Sequence, residues 1–217
     1  NEKDGSAITD LPIGFPSSHG QINEMTMLYS CAMREIRTKL ENLSQEFELN
    51  EARNPIQHIT HRLKKTESIR NKMIQRNLPL EYEVMRDEIT DIGGIRVICS
   101  YINDIYALVR MLKLQDDLLI VREKDYIANP KPNGYRSYHL IVAIPIFLSS
   151  EKQIIPVEIQ MRTIAMDFWA SLEHQLRYKT AAEVSDCTRT RLTNIAGDIF
   201  RADLEMQQIY EEINAVK

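Results

Sequence analysis

Asp91 and Glu158 are the acids best placed to do chemistry in this chain. Asp91 opens the run Asp-Ile-Gly-Gly-Ile-Arg96, and Glu158 sits midway along Val157-Glu-Ile-Gln-Met-Arg162. Both fall at strand positions, so backbone rather than a waving loop would hold them. Two carboxylates converging at a sheet edge suit a hard cation, since Mg²⁺ takes one or two carboxylates together with phosphate oxygens. Glu158 could also, or instead, act as general base on a sugar hydroxyl. The plainer alternative is that both are ordinary surface acids.

Two further stretches carry side-chain chemistry. Asn129 to His139 reads Asn-Pro-Lys-Pro-Asn-Gly-Tyr-Arg-Ser-Tyr-His, with Asn-Gly marking a turn and the prolines fixing its approach. Cations, an amide and tyrosines together suit a ligand with a flat base and phosphates. His61 to Arg76 carries six Lys/Arg against one Glu. Read as a helix over about 61–77, this segment places Lys64, Ser68 and Lys72 on one face, a row able to track phosphates. For each stretch the competing reading is a solvated surface with incidental charge.

The elements that must position these groups follow from periodicity. Met25, Leu28, Ala32, Ile36, Leu40, Leu43 and Phe47 recur at steps of three and four and predict a long amphipathic helix over 21–49. A short helix is expected around 80–89, then a buried strand over 94–101 with Arg96 facing away from Ile95 and Val97. A helix over 103–116 and strands at 118–121, 137–148 and 153–162 follow. In the last, Val157, Ile159 and Met161 face one way and Glu158, Gln160 and Arg162 the other. Thr163 is a candidate cap for a helix over 164–178, with Ala165, Phe168, Trp169, Leu172 and Leu176 as its buried stripe. From Leu192 through Ile195, Ile199, Ala202, Met206 and Ile209 to Ile213, steps of three and four draw a seam that must pack on something, in this chain or another.

Composition narrows the class. The 217 residues, 43% hydrophobic and 27% charged, fit a single folded domain with helical additions. A net charge of −4 argues against stable DNA binding, and a local basic patch on an acidic protein points to a small anionic ligand. Cys31, Cys99 and Cys187 are odd in number and widely spaced, and read as reduced thiols of a cytoplasmic protein. No apolar run approaches the roughly 18 residues that would span a membrane.

Taken together, four motifs resemble the small alarmone synthetases, the synthetase-only relatives of the bifunctional stringent-response enzymes. They are Arg62-Leu-Lys64 with Ser68 and Lys72, Asp91 to Arg96, Lys131 to His139, and Glu158 to Thr163. The resemblance implies an α+β fold, a nucleotidyltransferase-like mixed sheet flanked by helices, with long N- and C-terminal helices. Gly5, Pro12, Gly14, Pro16 and Gly20 mark a flexible arm over 1–20, the resemblance implies a synthetase domain over 21–180, and a C-terminal helix over 181–217 is expected to make an oligomer contact. The implied reaction moves pyrophosphate from ATP to the 3′-hydroxyl of GDP or GTP and releases AMP.

Residue by residue, the resemblance implies that Arg62 and Arg96 hold the adenine, and Lys64, Ser68 and Lys72 the ATP phosphates. Asp91 and Glu158 would bind Mg²⁺, with Glu158 activating the hydroxyl. Tyr135 would stack on guanine beside Lys131, Asn133 and His139, with Gln160 and Arg162 near the reacting phosphates. Homotetramers are implied as well. No His-Asp pair occurs and the length leaves no room for a hydrolase domain, so synthesis without hydrolysis is expected. Competing readings are a synthetase acting on another acceptor, such as a tRNA 3′ end, and a catalytically silent nucleotide sensor.

Overall fold

A computed structural model describes residues 19–50, 53–179 and 185–215. Among these, six helices surround one five-stranded sheet. In chain order the elements are α1 (His19–Asn50), β1 (Ile56–Leu63), α2 (Thr66–Gln75), α3 (Tyr82–Glu88), β2 (Gly93–Cys99), α4 (Ile102–Lys113), β3 (Leu119–Asp125), β4 (Tyr138–Phe147), β5 (Lys152–Thr163), α5 (Ile164–Lys179) and α6 (Asp186–Ala215). The sheet runs β1-β2-β5-β4-β3. Only β2 and β5 pair in parallel, so the sheet is mixed.

One face of the sheet is the core. The register aligns Ile95 of β2, Ile159 of β5 and Leu140 of β4 in one row, and Val97, Met161 and Tyr138 in the next. Onto these rows α1 lays Met25, Leu28, Ala32, Ile36 and Leu40, all buried, with Leu43 and Phe47 half-buried at its end as its periodicity predicts. Ile105, Leu108, Val109 and Leu112 of α4 close the layer. Each such side chain taken out of water contributes roughly 1.5–3 kcal/mol. The opposite face is left for polar groups, because a side-chain period of two sends every second residue there.

Four sequence expectations need correction. The first concerns residues 56–63, which form β1 rather than leading into a helix that starts near 61. Ile56, Ile59 and Leu63 are spaced three and four apart, the helical signal, yet they sit on an edge strand whose other residues are largely exposed. Lys64 therefore lies in the link before α2, not on one helical face with Ser68 and Lys72. The second concerns α5. Met166, Trp169 and Ala170 are buried, while Phe168 is 59% and Leu172 44% exposed, and Leu176 is exposed too.

The third concerns α6, whose seam is only partly used within the chain: Ala196, Ile199, Phe200 and Asp203 meet the body and Leu192 is half-buried, while Ile195, Met206, Ile209 and Ile213 face solvent in the single chain. The fourth is a matter of boundaries. β3 runs on to Asp125, and α1 already includes His19 and Gly20, which were assigned to the arm. The rest of that arm, residues 1–18, lies outside the described residues.

The three cysteines are free, and burial pushes the Cys99 thiol up to about 12. No helix among the described residues is long and apolar enough to cross a membrane.

Candidate active site

The polar face of the sheet forms an open cleft of about 310 Å³ lined by Arg62, Asp91, Arg96, Glu158 and Gln160, with Thr60 and His61 beside them. Strand register explains the convergence. Gly94 of β2 pairs with Arg62 on one side and Glu158 on the other, and Arg96 pairs with Thr60 and Gln160. Next along the second row, Gln160 pairs with His139 of β4. Gly94 puts no side chain between Arg62 and Glu158, so the middle of the cleft stays open.

At one end of the cleft, Asp91 sits in the turn before β2. Its Oδ2 meets the ammonium groups of Lys64 at 2.6 Å and Lys72 at 2.7 Å. Lys64 is fixed by its backbone N–H, which donates to the Ile92 carbonyl at 2.8 Å. Burial alone would raise the Asp91 carboxyl, but the two lysines hold it below the usual carboxylate range. Burial lowers the Lys72 ammonium despite that partner. Asp91 Oδ1 is buried and has no hydrogen-bond partner. Ser68, one turn before Lys72 on α2, is exposed. Arg62 is exposed on the rim, diagonally across from Arg96 on the same face.

The other end is wired together. Glu158 Oε1 lies 2.9 Å from His139 Nδ1, and Oε2 accepts from Gln160 Nε2 at 2.7 Å. His139 Nε2 lies 2.8 Å from the Tyr135 hydroxyl, which accepts from Arg162 Nη2 at 2.8 Å. Arg162 Nη1 donates to Asp167 Oδ1 at 2.8 Å. With a proton on His139 Nδ1, a tautomer assigned from the network, each contact along the chain has one donor and one acceptor, and Arg162 Nε is left buried without a partner. Burial raises the Glu158 carboxyl, but the His139 and Gln160 hydrogen bonds outweigh it and leave it below its ordinary value.

The loop over 129–139 owes its shape to the same residues that crowd its sequence. Gly134 N–H donates to the Lys131 carbonyl at 2.8 Å, closing a turn with Pro132 second in it, and Gly134 takes φ +88°. Asn133 Oδ1 accepts from the Tyr135 N–H at 3.2 Å, while its Nδ2 donates to Glu173 Oε1 at 3.3 Å. The loop packs on α6, and a methyl group at Gly134 would come within 2.5 Å of Ala196 Cβ. The Lys131 ammonium stands 4.7 Å from the Tyr135 ring centre and 4.8 Å from that of Tyr126.

The sequence-expected residues thus fall into two groups within reach of one cleft, with Ser68 at the margin. Two contributors were missed. Tyr126 sets its ring edge-on to His139 at 5.2 Å, and Asp167 pairs with both Arg162 and Arg96. A tyrosine just ahead of a tyrosine-rich loop, and an acid in the first turn after an arginine-ended strand, were the available signals.

Comparison with known proteins places this geometry. Residues 61–183 match the family described as the region found in RelA and SpoT proteins. The chain belongs to the RelA/SpoT family. Among RelA/SpoT relatives, the GTP pyrophosphokinase YwaC of Bacillus subtilis is 43% identical over 88% of this chain and 91% of its own length. The small alarmone synthetase 1 of Bacillus subtilis, solved bound to its product pppGpp, superposes with a TM-score of 0.83 at 35% identity, covering 89% of this chain and 98% of that one. Its structure bound to AMPCPP gives 0.77 at 32% identity, covering 90% and 99%. This RelA/SpoT member therefore has the nucleotidyltransferase-like mixed sheet of the small alarmone synthetases.

Proposed function

We propose that this chain is a (p)ppGpp synthetase, moving the β,γ-pyrophosphate of ATP onto the 3′-hydroxyl of GDP or GTP and releasing AMP. The observation that carries the reading is Glu158. It is a half-buried carboxylate kept ionised by His139 and Gln160, fixed on a strand, and faces a cleft with cations at the far wall. Each Glu158 oxygen accepts one protein hydrogen bond and retains a lone pair for a substrate proton.

Tyr135 offers a ring for the guanine, with Lys131, Asn133 and His139 around it, and Glu158 accepts the 3′-hydroxyl proton. The resulting oxyanion attacks the β-phosphorus of ATP in line, and AMP leaves. Arg62 and Arg96, flat guanidinium groups on one sheet face, suit stacking against adenine. Lys64 and Lys72, with Ser68 behind them, face the triphosphate and neutralise charge as it moves to the leaving phosphate. Gln160 and Arg162 border the reacting groups. Positioning and fixed charge supply most of the rate in such transfers.

Magnesium fits the donor set. Asp91 keeps one buried oxygen without a partner, and Glu158 lies in the same cleft. Among the described residues no group of three or more ligating side chains gathers, which suits an ion completed by phosphate oxygens and water. Bound there by Asp91 and Glu158, Mg²⁺ would neutralise phosphate charge.

Incubating the chain with Mg²⁺, labelled ATP and GDP, GTP or GMP, then resolving products by anion exchange, tests the reading. AMP should appear together with a pyrophosphorylated guanine nucleotide. AMP without that product, or label passing only to an added tRNA, would refute it. ATP and guanine nucleotides as substrates support a cytoplasmic enzyme. The solvent-facing Ile195, Met206, Ile209 and Ile213 of α6, with Phe168 and Leu172 of α5, favour burial against other copies in a homotetramer. Light scattering should return a mass near four chains; a monomer would end that part of the reading.

A further inference from the structure

Two guanidinium groups lie close on the polar sheet face. Arg96 pairs with Gln160 and Ile98 with Arg162, so Arg96 and Arg162 are diagonal neighbours on parallel strands. Like charges so placed repel, and the effect is visible on Arg96: burial lowers its pKa first, Arg162 lowers it further, and Asp167 opposes both. Asp167 is the counter-charge they share. Its Oδ1 accepts from Arg162 Nη1 at 2.8 Å and stands 3.5 Å from Arg96 Nη1.

The carboxylate is well held for that task. Thr163 Oγ1 accepts from the Met166 N–H at 3.1 Å and starts α5, which puts Asp167 in the first turn, where the helix dipole favours negative charge. From Arg162 the contacts continue through Nη2 to the Tyr135 hydroxyl. One carboxylate oxygen therefore touches Arg96 directly and reaches Tyr135 through a single side chain.

We infer that Asp167 is a positioning residue serving both nucleotides, holding Arg96 for the adenine side and Arg162 for the guanine side of the cleft. The inference rests on the reading of the cleft proposed above. Removing the charge leaves the buried Arg162 and the half-exposed Arg96 to repel across the sheet face, so both nucleotide sites loosen together. A residue serving only as a helix-start charge would affect neither affinity.

The test uses Asp167→Asn and Asp167→Glu in the full chain, with ATP varied at saturating GDP and the reverse. Asp167→Asn should raise the KM for both nucleotides by about tenfold, with a smaller change in kcat. Asp167→Glu keeps the charge on a longer arm and should lose less in both constants; it also stands alone if the Asn variant fails to fold. Unchanged KM values, a rise for one nucleotide only, or equal losses in Asn and Glu would overturn the inference. Calorimetric titration with AMPCPP and with GDP reads the same contrast without turnover. A wild-type chain that binds both but forms no product would sink the proposed reaction; normal turnover with unshifted variants would sink this inference alone.

Discussion

The two ends of the cleft are built by different means. At the end proposed for guanine, Glu158, His139, Tyr135, Arg162 and Asp167 form one hydrogen-bonded chain, with His139 and Arg162 buried and the loop beneath them packed on α6. At the end proposed for ATP, Arg62 and Ser68 are exposed and Lys64 and Lys72 share a single acid. One end is preorganised before any substrate arrives. The other is a set of cations whose final geometry the triphosphate must set. A group that must hold a nucleophile at fixed distance gains from rigidity, whereas phosphate-neutralising charges tolerate slack.

Breaking the rigid end at its acid should have the largest effect. Glu158→Gln keeps the side-chain shape, but it turns one acceptor into a donor and cannot take a proton. Turnover should fall by about 10²–10⁴, while titration with GDP and with AMPCPP shows near-normal affinity. Near-normal turnover in a labelled-transfer assay would show that Glu158 is not the base and that the wired end serves binding alone.

How much of this contrast was legible in the sequence depends on how local each signal was. Glu158, Gln160 and Arg162 were placed on one face because strand alternation is a local rule, and β5 obeys it. The Lys131–His139 loop stood out because its turn chemistry lies within a few residues. By contrast, β1 was hidden because Ile56, Ile59 and Leu63 imitate a helix on an edge strand. That error put Lys64 on the wrong element while leaving its partner reachable. In α5, Phe168, Leu172 and Leu176 are apolar yet face outward, and nothing in the helix itself distinguishes them from Met166 and Ala170. Asp167 and Tyr126 join the site only through neighbours that tertiary packing brings to them.

The rigid end can also be broken from behind. Gly134 has φ +88°, and an added methyl group would press on Ala196 at 2.5 Å. Gly134→Ala should therefore destabilise by about 1–3 kcal/mol, lowering the melting temperature by roughly 2–4 °C per kcal/mol in a chain of this size. The comparison is sharpened by what else moves. GDP affinity should fall with stability, because the loop carries Tyr135, while AMPCPP affinity holds. Equal losses for both ligands would mean that α6 braces the whole cleft rather than one end.

The smallest expected effect is a shift along the pH axis. Burial pushes the Glu158 carboxyl up, and His139 is the largest influence bringing it down, ahead of Gln160. The folded-state value lies below the ordinary 4.5. Its contribution to stability is therefore present above the unfolded value and disappears as pH falls through the folded one. His139→Leu removes the Nδ1 hydrogen bond and leaves burial opposed mainly by Gln160. The acid limb of kcat/KM should then move to higher pH, and the stability lost with that contribution should show at every pH above the unfolded carboxyl value and fade as pH falls below the folded one. An acid limb that stays in place would show that Glu158 is held ionised by something other than the chain running through Tyr135 and Arg162. Glu158 would then owe its charge state to the cleft as a whole, unlike Asp91, whose charge two named lysines hold.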